Sequence, residues 1–458
     1  MKSNIYIYDI IYPNIYRGKI RIVKKDLKTK LISRKIKKPN SFLMFMIMRI
    51  LGILNRTYKV KFSYDYNPKT IKKQPTILLS SHSSRLEFIY MIYGFKRNDI
   101  NMVCGYQNII KKGLYGLFLK LGVISKYLYQ PDIVCMKNIL RVLKRNGAVG
   151  IFPEGIQSTS GSTQPINPAT AQFIKRSKAN VVISSSVGAY LATNRYSKDR
   201  KKGYIGVNYS LVFTPEMLDK LSEEEIYQIL LDKIKYNDFE NNKIFRNKYI
   251  GKKSNAFGID KILYKCPDCH SEFTLNIEDD TIVCKHCGLK VRVNEYYDLE
   301  PVKCNNIPKD IDEWFKWQRR CVRKEILNDD FKLSFDGSIC TIKLDKLRKE
   351  DKSNQILSVG CVTLNNKDLF FKGCLNGKNV DFSFKANSIY SLTLSTKGYL
   401  EFYSDNEYYM IYPKEKNKEL IKWTLASEEI HNLYDKKWDS ACSDVFEYNK
   451  GDIYDTIW

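Results

Sequence analysis

Two cysteine pairs, Cys266-Pro-Asp-Cys269 and Cys284-Lys-His-Cys287-Gly288, stand 14 residues apart. That spacing lets two thiolate pairs close one tetrahedral metal site while a short hairpin crosses the gap. Four thiolates fill the shell and leave no position for a water. The expected occupant is a structural Zn2+, with rubredoxin-like iron or no metal as the alternatives. His270 and His286 adjoin the pairs and are expected around the shell or in solvent. This zinc ribbon, over 260–295, divides the chain into a part with the residues for chemistry and a part that reads as β-rich.

Charge divides at nearly the same place. Residues 1–250 carry 44 Lys+Arg against 16 Asp+Glu, and residues 251–458 carry 32 against 34. A coding bias towards Lys, Ile, Asn and Tyr would raise the basic count in both parts, so it does not explain the asymmetry. The first 40 residues hold 12 basic residues and only Asp9 and Asp26 as acids. Such a field attracts nucleic acid, an anionic membrane surface or phosphorylated substrates.

At 458 residues the chain has room for two or three cores. Met1–Lys19 lacks the apolar run of a secretory signal. Twelve cysteines, four of them in metal knuckles, fit a reducing cytosol. No stretch has the roughly 18 apolar residues needed to cross a bilayer. The segment Phe42–Leu54 is apolar but contains Arg49 and follows Arg34-Lys35-Ile36-Lys37-Lys38. It reads either as a buried core helix or as a helix lying in a membrane interface with its basic flank on anionic headgroups.

From residue 61 the pattern alternates. Thr76–Leu79, Asn101–Cys104, Ala148–Phe152, Asn180–Ser184 and Tyr204–Val207 read as buried strands, with helical spacing at Leu114–Leu121 and Ile139–Leu143 between them. Thr214-Pro215 starts a helix, and Ser222-Glu-Glu-Glu225 is a capping box for another. An α/β layer with both faces of a mixed sheet covered is expected over 61–255, after a basic segment over 1–60.

The candidate chemistry lies at strand ends. Ile77 to Glu87 runs from a strand through His82 to an acid, which is the equipment of a general base held by a carboxylate. On a regular helix these positions would diverge by about 140°. The pair therefore requires His82 on the turn before a helix and Glu87 in its first turns. A second strand ends in Gly150-Ile-Phe-Pro-Glu-Gly155 and enters a Ser/Thr/Gly-rich loop, Ser158–Thr163. Pro and Gly on either side of Glu154 make a rigid turn at the sheet's carboxyl edge, where α/β ligand sites form.

With these two elements in place, residues 40–240 resemble the glycerolipid acyltransferases of the 1-acylglycerol-3-phosphate type. The matching motifs are His82 to Glu87, Leu121-Gly-Val-Ile-Ser-Lys126, Phe152 to Gly155, and Val181 to Gly188. The resemblance implies acyl transfer from acyl-CoA or acyl carrier protein to the hydroxyl of a lysophospholipid-like acceptor. His82 would act as base and Glu87 would orient and charge-stabilise the imidazolium. Arg85, Lys126, Phe152, Pro153, Glu154 and Gly155 would bind substrate. Three positions depart from the family: Glu87 replaces Asp, Lys126 replaces Arg, and Ile156-Gln157-Ser158 replaces Thr-Arg-Ser. The last change removes a guanidinium suited to gripping phosphate, and Arg85 is placed to compensate.

Beyond residue 325 period-two runs recur at Ser338–Leu344, Leu357–Leu364, Val380–Phe384, Ser391–Leu394, Tyr399–Tyr403 and Tyr408–Tyr412. Asn376-Gly377 and Lys397-Gly398 supply hairpin turns. A closing helix carries Leu420, Trp423, Ser427, Ile430 and Tyr434. Strands closed by one helix over 325–437, with a tail over 438–458, resemble a pleckstrin-homology or GRAM-like domain, whose balanced charge argues against strong phosphoinositide binding.

The composite reading is a cytoplasmic acyltransferase, peripheral on the inner face of the cell membrane, with an anionic lipid surface as partner. Two rivals remain, a nucleic-acid-binding zinc-ribbon protein and a catalytically inactive acyltransferase fold used as a membrane adaptor. Nucleic acid is disfavoured because Glu278, Asp279 and Asp280 lie between the two knuckles.

Overall fold

The computed structural model describes residues 34–111, 115–128, 132–304, 306–342, 354–405, 407–415 and 418–434. The basic run of the first 33 residues and the tail over 438–458 lie outside the described residues.

The central strand shows why two faces are covered. β1 (Lys61–Tyr64) precedes β2 (Thr76–Ser80), which is buried along its whole length. Its side chains alternate, Leu78 entering one apolar core and Ile77 and Leu79 the other. β3 (Ile100–Gly105), β4 (Ile124–Lys126), β5 (Ala148–Ile151), β6 (Asn180–Val187) and β7 (Gly206–Phe213) complete a seven-stranded sheet in the order β1-β7-β6-β2-β5-β3-β4. The split repeats on the neighbours of β2: Ala148 and Val182 join the first core, Val149, Val181 and Ile183 the second. All pairs are parallel except β6 with β7, so the sheet is mixed, as expected. The seventh strand begins at Gly206 and extends to Phe213, later and longer than the Tyr204–Val207 run suggested, because its alternation with polar residues conceals it.

The apolar segment near residue 42 forms α1 (Ser41–Thr57), capped by the Asn40 side chain on Leu43 N. Met44 and Leu51 are buried while Phe42, Phe45, Met46, Ile50 and Ile53 are exposed. One face of the helix thus packs into the core, as the buried-helix reading expected, and the other is exposed. Among the described residues no helix is long and apolar enough to cross a membrane. Ser222 and Glu225 form the expected capping box, at the start of Glu223–Ile234.

The ribbon contributes β8 (Leu275–Glu278), β9 (Thr281–Cys284), β10 (Lys290–Val293) and β11 (Leu299–Lys303) in a second sheet. After it comes a helix that sequence reading did not identify, Ile311–Glu325, here α2. Asp310 caps it through Glu313 N, and Trp314, Phe315 and Trp317 are buried. The third sheet holds β12 (Lys332–Ile342), β13 (Asn354–Asn365), β14 (Asp368–Leu375), β15 (Lys378–Asn379), β16 (Phe382–Lys385), β17 (Thr393–Leu394), β18 (Leu400–Ser404) and β19 (Glu407–Pro413). The order is β15-β14-β13-β12-β19-β18-β17, with β16 also on β14. Asn376 and Gly377 take the expected turn with φ of +52° and +77°. α3 (Leu420–Tyr434) closes the domain, with Leu420, Trp423, Ser427 and Ile430 buried.

α2 ties the modules together. The Trp314 indole donates to Lys265 O at 2.9 Å, and the Gln318 carbonyl accepts from Tyr264 N at 2.9 Å, both on the ribbon's entry. Arg319 reaches α3 with ion pairs of 2.6 Å to Glu428 and 3.1 Å to Glu429. At the other end Asp312 accepts from the hydroxyls of Ser160 (2.6 Å) and Ser162 (2.7 Å), from the Asn237 amide (3.0 Å) and from Lys316 (2.7 Å). The loop after β5 is thus fastened to α2. Removing the carboxylate would strand several buried donors, so Asp312→Ala should lower stability by on the order of 3 kcal/mol. A denaturation midpoint equal to that of the parent would show that this junction carries no load.

Candidate active site and metal centre

β2, β3 and β5 run parallel, and β6 runs parallel to β2, so the segments after them leave from one edge of the sheet. His82 follows β2, Phe152–Gly155 follows β5, and Glu87 begins the helix Glu87–Phe95. This is the arrangement the spacing required. The ring of His82 stacks on Phe152 with centroids 4.2 Å apart and planes at 18°.

Glu87, however, does not hold the imidazole. Its Oε1 accepts from the hydroxyls of Ser81 (3.1 Å), Ser83 (3.0 Å) and Ser186 (2.6 Å), and its Oε2 from Ser84 N (3.2 Å). Among the described residues no hydrogen bond joins it to the His82 ring, whose Nδ1 is buried without a partner. The reason is alternation. Where the chain leaves β2 extended, Ser81 and Ser83 share one side and His82 takes the other. Glu87 therefore fixes the loop on both sides of His82 rather than the ring itself. The serine run 80–84 was the signal for this cage, and Ser186 comes from β6.

Glu154 is equally occupied. Its Oε1 accepts from His82 N at 2.6 Å and its Oε2 from Gln164 N at 2.7 Å. Ser158 N then donates to His82 O at 2.9 Å, so one loop grips the His82 residue from both ends of its backbone. Gly155 has φ of +73°, which glycine adopts without strain, and its N–H bonds Phe152 O at 3.1 Å to close the turn. Pro153 is half-buried within that turn.

Two arginines, Arg85 and Arg195, sit on loops that meet. Arg85 N donates to Thr193 O at 3.3 Å, and the hydroxyls of Ser84 and Thr193 are 2.7 Å apart. Arg195 follows two residues on and was not identified from sequence; its Nη2 donates to Leu394 O of β17. Arg85 Nε and Gln157 Nε2 are buried without partners. Lys126 is not gathered to this group, since β4 lies three strand spacings from β2, about 14 Å.

Burial dominates the protonation of the site. It pushes Glu87 up to about 7 despite the hydrogen bonds from Ser186, Ser84, Ser83 and Ser81. It pushes Glu154 up to about 8, against the N–H groups of Gln164 and His82 and with the Glu87 charge adding to the rise. His82 is driven down to about 3, by burial first and the Arg195 charge second, so its imidazole is neutral at physiological pH.

In the ribbon the four cysteine Sγ atoms all lie within 4.8 Å of one another. A tetrahedral site with Zn–S bonds of about 2.3 Å has sulfurs about 3.8 Å apart. Cys266 and Cys287 are 3.7 Å apart, as are Cys269 and Cys284. The donor set fits a structural zinc ion. His270 lies outside it, its ring tilted against Trp317 at 5.7 Å.

Residues 62–186 match the family described as acyltransferase, and residues 260–293 match a zinc-ribbon family described as the 7 kDa subunit of DNA-directed RNA polymerase. No curated protein matches the chain. Among solved structures it is similar to the crystal structure of the 1-acyl-sn-glycerophosphate (LPA) acyltransferase, PlsC, from Thermotoga maritima. That likeness is 14% in identity with a TM-score of 0.37, over 45% of this chain and 81% of the other, too slight to carry weight. The chain therefore contains an acyltransferase domain followed by a zinc ribbon.

Two measurements follow from the electrostatics and the ribbon. Glu87 and Glu154 titrate higher when folded than when unfolded, near 4.5. Their contribution to stability is full below that value and is lost as pH rises through about 7 and about 8. Between those limits the parent's denaturation midpoint should fall with pH more steeply than that of Glu87→Gln combined with Glu154→Gln; identical slopes would mean that neither carboxyl is held protonated. For the ribbon, Cys284→Ser or a strong chelator should release about one metal per chain and speed amide hydrogen exchange over residues 264–293. Unchanged exchange after metal loss would remove the structural role.

Proposed function

We propose that the protein is an O-acyltransferase that moves a fatty acyl group from acyl-CoA or acyl carrier protein to the hydroxyl of a lysophospholipid-like acceptor. The observation that carries this reading is His82, held neutral at the carboxyl edge beside the Phe152–Gly155 turn within the acyltransferase match. A neutral imidazole can accept the acceptor's hydroxyl proton as the oxygen attacks the thioester carbonyl. The C–O bond forms, the C–S bond breaks, and His82 returns the proton to the departing thiolate. Glu87 positions His82 through Ser81 and Ser83, and Glu154 and Gly155 shape the turn that faces it. Arg85 supplies positive charge towards substrate. Lys126 lies farther along the edge, where a long substrate reaches it.

The same reading places the protein peripherally at an anionic membrane surface on the cytoplasmic side. α1 presents Phe42, Phe45, Met46, Ile50 and Ile53 outward, and Lys35, Lys37 and Lys38 just before it are exposed. The β domain closed by α3 is taken as PH/GRAM-like on its strand-and-helix content. Zinc serves the ribbon, and nucleic acid has little to bind there, because Glu278 and Asp279 are exposed on its hairpin.

Purified protein with acyl-CoA and a panel of lysolipids, read by mass spectrometry, tests the activity. His82→Ala should lower turnover by roughly 10²–10⁴-fold. Full turnover in that variant would overturn the assignment of the base, and no acylated product from the parent would overturn the reaction.

A further inference from the structure

The helix Ile133–Lys144, between β4 and β5, buries one face and presents the other outward. Cys135, Ile139, Val142 and Leu143 enter the second core, where Ile77 and Leu79 of β2 lie. The outward positions recur at three and four residues. They hold Ile133, Met136 and Leu140, which are 68%, 38% and 40% exposed, among exposed Lys137, Arg141 and Lys144. The helix contains no Asp or Glu. Its cap, Asp132, spends its carboxylate on Cys135 N at 2.8 Å and Tyr127 N at 3.0 Å.

The chain before α1 adds to this charge. Arg34 O accepts from the Asn138 amide at 3.0 Å, Ile36 N donates to Asn138 Oδ1 at 3.3 Å, and Arg145 donates to Ile36 O at 3.1 Å. These bonds hold residues 34–38 along the helix, with Lys35, Lys37 and Lys38 exposed. The face is therefore an apolar ridge set among basic residues, with no acid on either element. It also has a direction. β4, β3, β5 and β2 are parallel, and Tyr127, just past the end of β4, bonds the cap of the helix. The helix thus starts at the sheet edge that carries His82 and runs back to the start of β5.

We infer that this face docks a small acidic protein that brings the acyl group as a thioester, which makes a carrier protein the donor that this chain is built to receive. The inference rests on the acyl-transfer reading above. Charge complementarity selects the partner. An acidic helix laid along the ridge meets Lys137, Arg141 and Lys144, while its apolar residues cover Met136 and Leu140. A carrier held there presents its thioester from the edge where the chemistry lies. The same charges argue against a second copy of the chain, because a two-fold contact would set basic face on basic face. Geometry argues against a lipid surface. α1, the membrane contact of the reading above, packs Met44 and Leu51 into the first core, on the other side of the sheet, and one plane cannot lie flush on both.

The full-length protein is assayed with one acyl group presented on acyl carrier protein and on CoA, against the same lysolipid. Lys137→Glu with Lys144→Glu should raise KM for the protein-borne donor by roughly tenfold to a hundredfold, leaving kcat and the KM for acyl-CoA unchanged. In the parent that first KM should rise steeply with salt, a dependence that the charge variant loses. Met136→Ser with Leu140→Ser should raise the same KM and keep the salt dependence. Calorimetric titration with carrier protein lacking an acyl group reads docking apart from turnover, and both variants should weaken it. All four residues are exposed, so denaturation midpoints should match the parent's. Equal KM and equal carrier binding across parent and variants would overturn the proposal and leave the acyl-transfer reading intact, as would a parent that uses acyl-CoA and binds no carrier protein. Carrier binding that depends on Lys137 and Lys144, with no product from either donor, would sink the reaction and keep the docking face. Loss of binding to phosphatidylglycerol vesicles in the charge variant, with carrier binding unchanged, would make the helix a lipid contact. Dissociation of a parent dimer by Met136→Ser with Leu140→Ser would make it a contact between copies. Either result overturns the proposal.

Discussion

The backbone of His82 is held at both ends by the loop after β5. Glu154 takes its N–H and Ser158 donates to its carbonyl, and the placement of everything else at the site depends on that grip. Hydrogen bonds of this kind contribute more inside a protein than in water, because removing one partner leaves a buried group unsatisfied at a cost of about 1–3 kcal/mol. The Phe-Pro-Glu-Gly turn is thus first of all a brace. It presents Phe152 as a flat surface for the imidazole and spends the carboxylate of Glu154 on main-chain donors, not on substrate. With the backbone fixed and one ring face covered, the imidazole has little rotational freedom left to lose when a substrate arrives.

The brace is itself braced from the far half of the chain. Ser160 and Ser162, a few residues past the turn, end on Asp312 at the start of α2, and α2 holds the ribbon through Trp314 and Gln318 and α3 through Arg319. Apolar contact is continuous along this route, with Leu78, Ile282, Trp314 and Trp423 all in one cluster. The ribbon therefore acts at a distance from the chemistry. A zinc ion held by the four cysteines would close a hairpin that α2 packs upon, and α2 secures the loop that grips His82. A four-thiolate site with no open position can serve a catalytic edge in this mechanical way without touching a substrate.

Much of this was legible in the sequence. Uninterrupted apolar runs marked β2, β3, β5 and β6, because central strands in covered sheets need no polar face. The cysteine spacing marked the metal centre, and Asn376-Gly377 marked the turn between β14 and β15. The geometric condition on His82 and Glu87 was met, with Glu87 as the first residue of its helix. The partner of the carboxylate was not legible, since Ser186 lies 99 residues away and only the pairing of β6 with β2 brings it near. Arg195 was hidden in the same way, because nothing local distinguishes an arginine that will meet a carbonyl 199 residues on. α2 could have been found: Asp310 three residues before Glu313, then Trp314, Trp317, Gln318 and Cys321, is a capped amphipathic helix.

The serine cage also explains why a glutamate stands at position 87. The carboxylate gathers hydroxyls from two sides of the sheet edge, Ser81 and Ser83 from the loop after β2 and Ser186 from β6. An aspartate there would withdraw its oxygens by about 1.5 Å, the length of one C–C bond. Contacts of 2.6 to 3.1 Å would stretch past the range of a hydrogen bond unless the helix moved towards β2. The longer side chain and the serine run are therefore one adaptation. The glutamate that departs from the aspartate implied by the resemblance is the residue whose reach this cage uses. The cage satisfies the carboxyl without the imidazole and the His82 Nδ1 stays without a partner, while burial first and the Arg195 charge second keep the ring neutral.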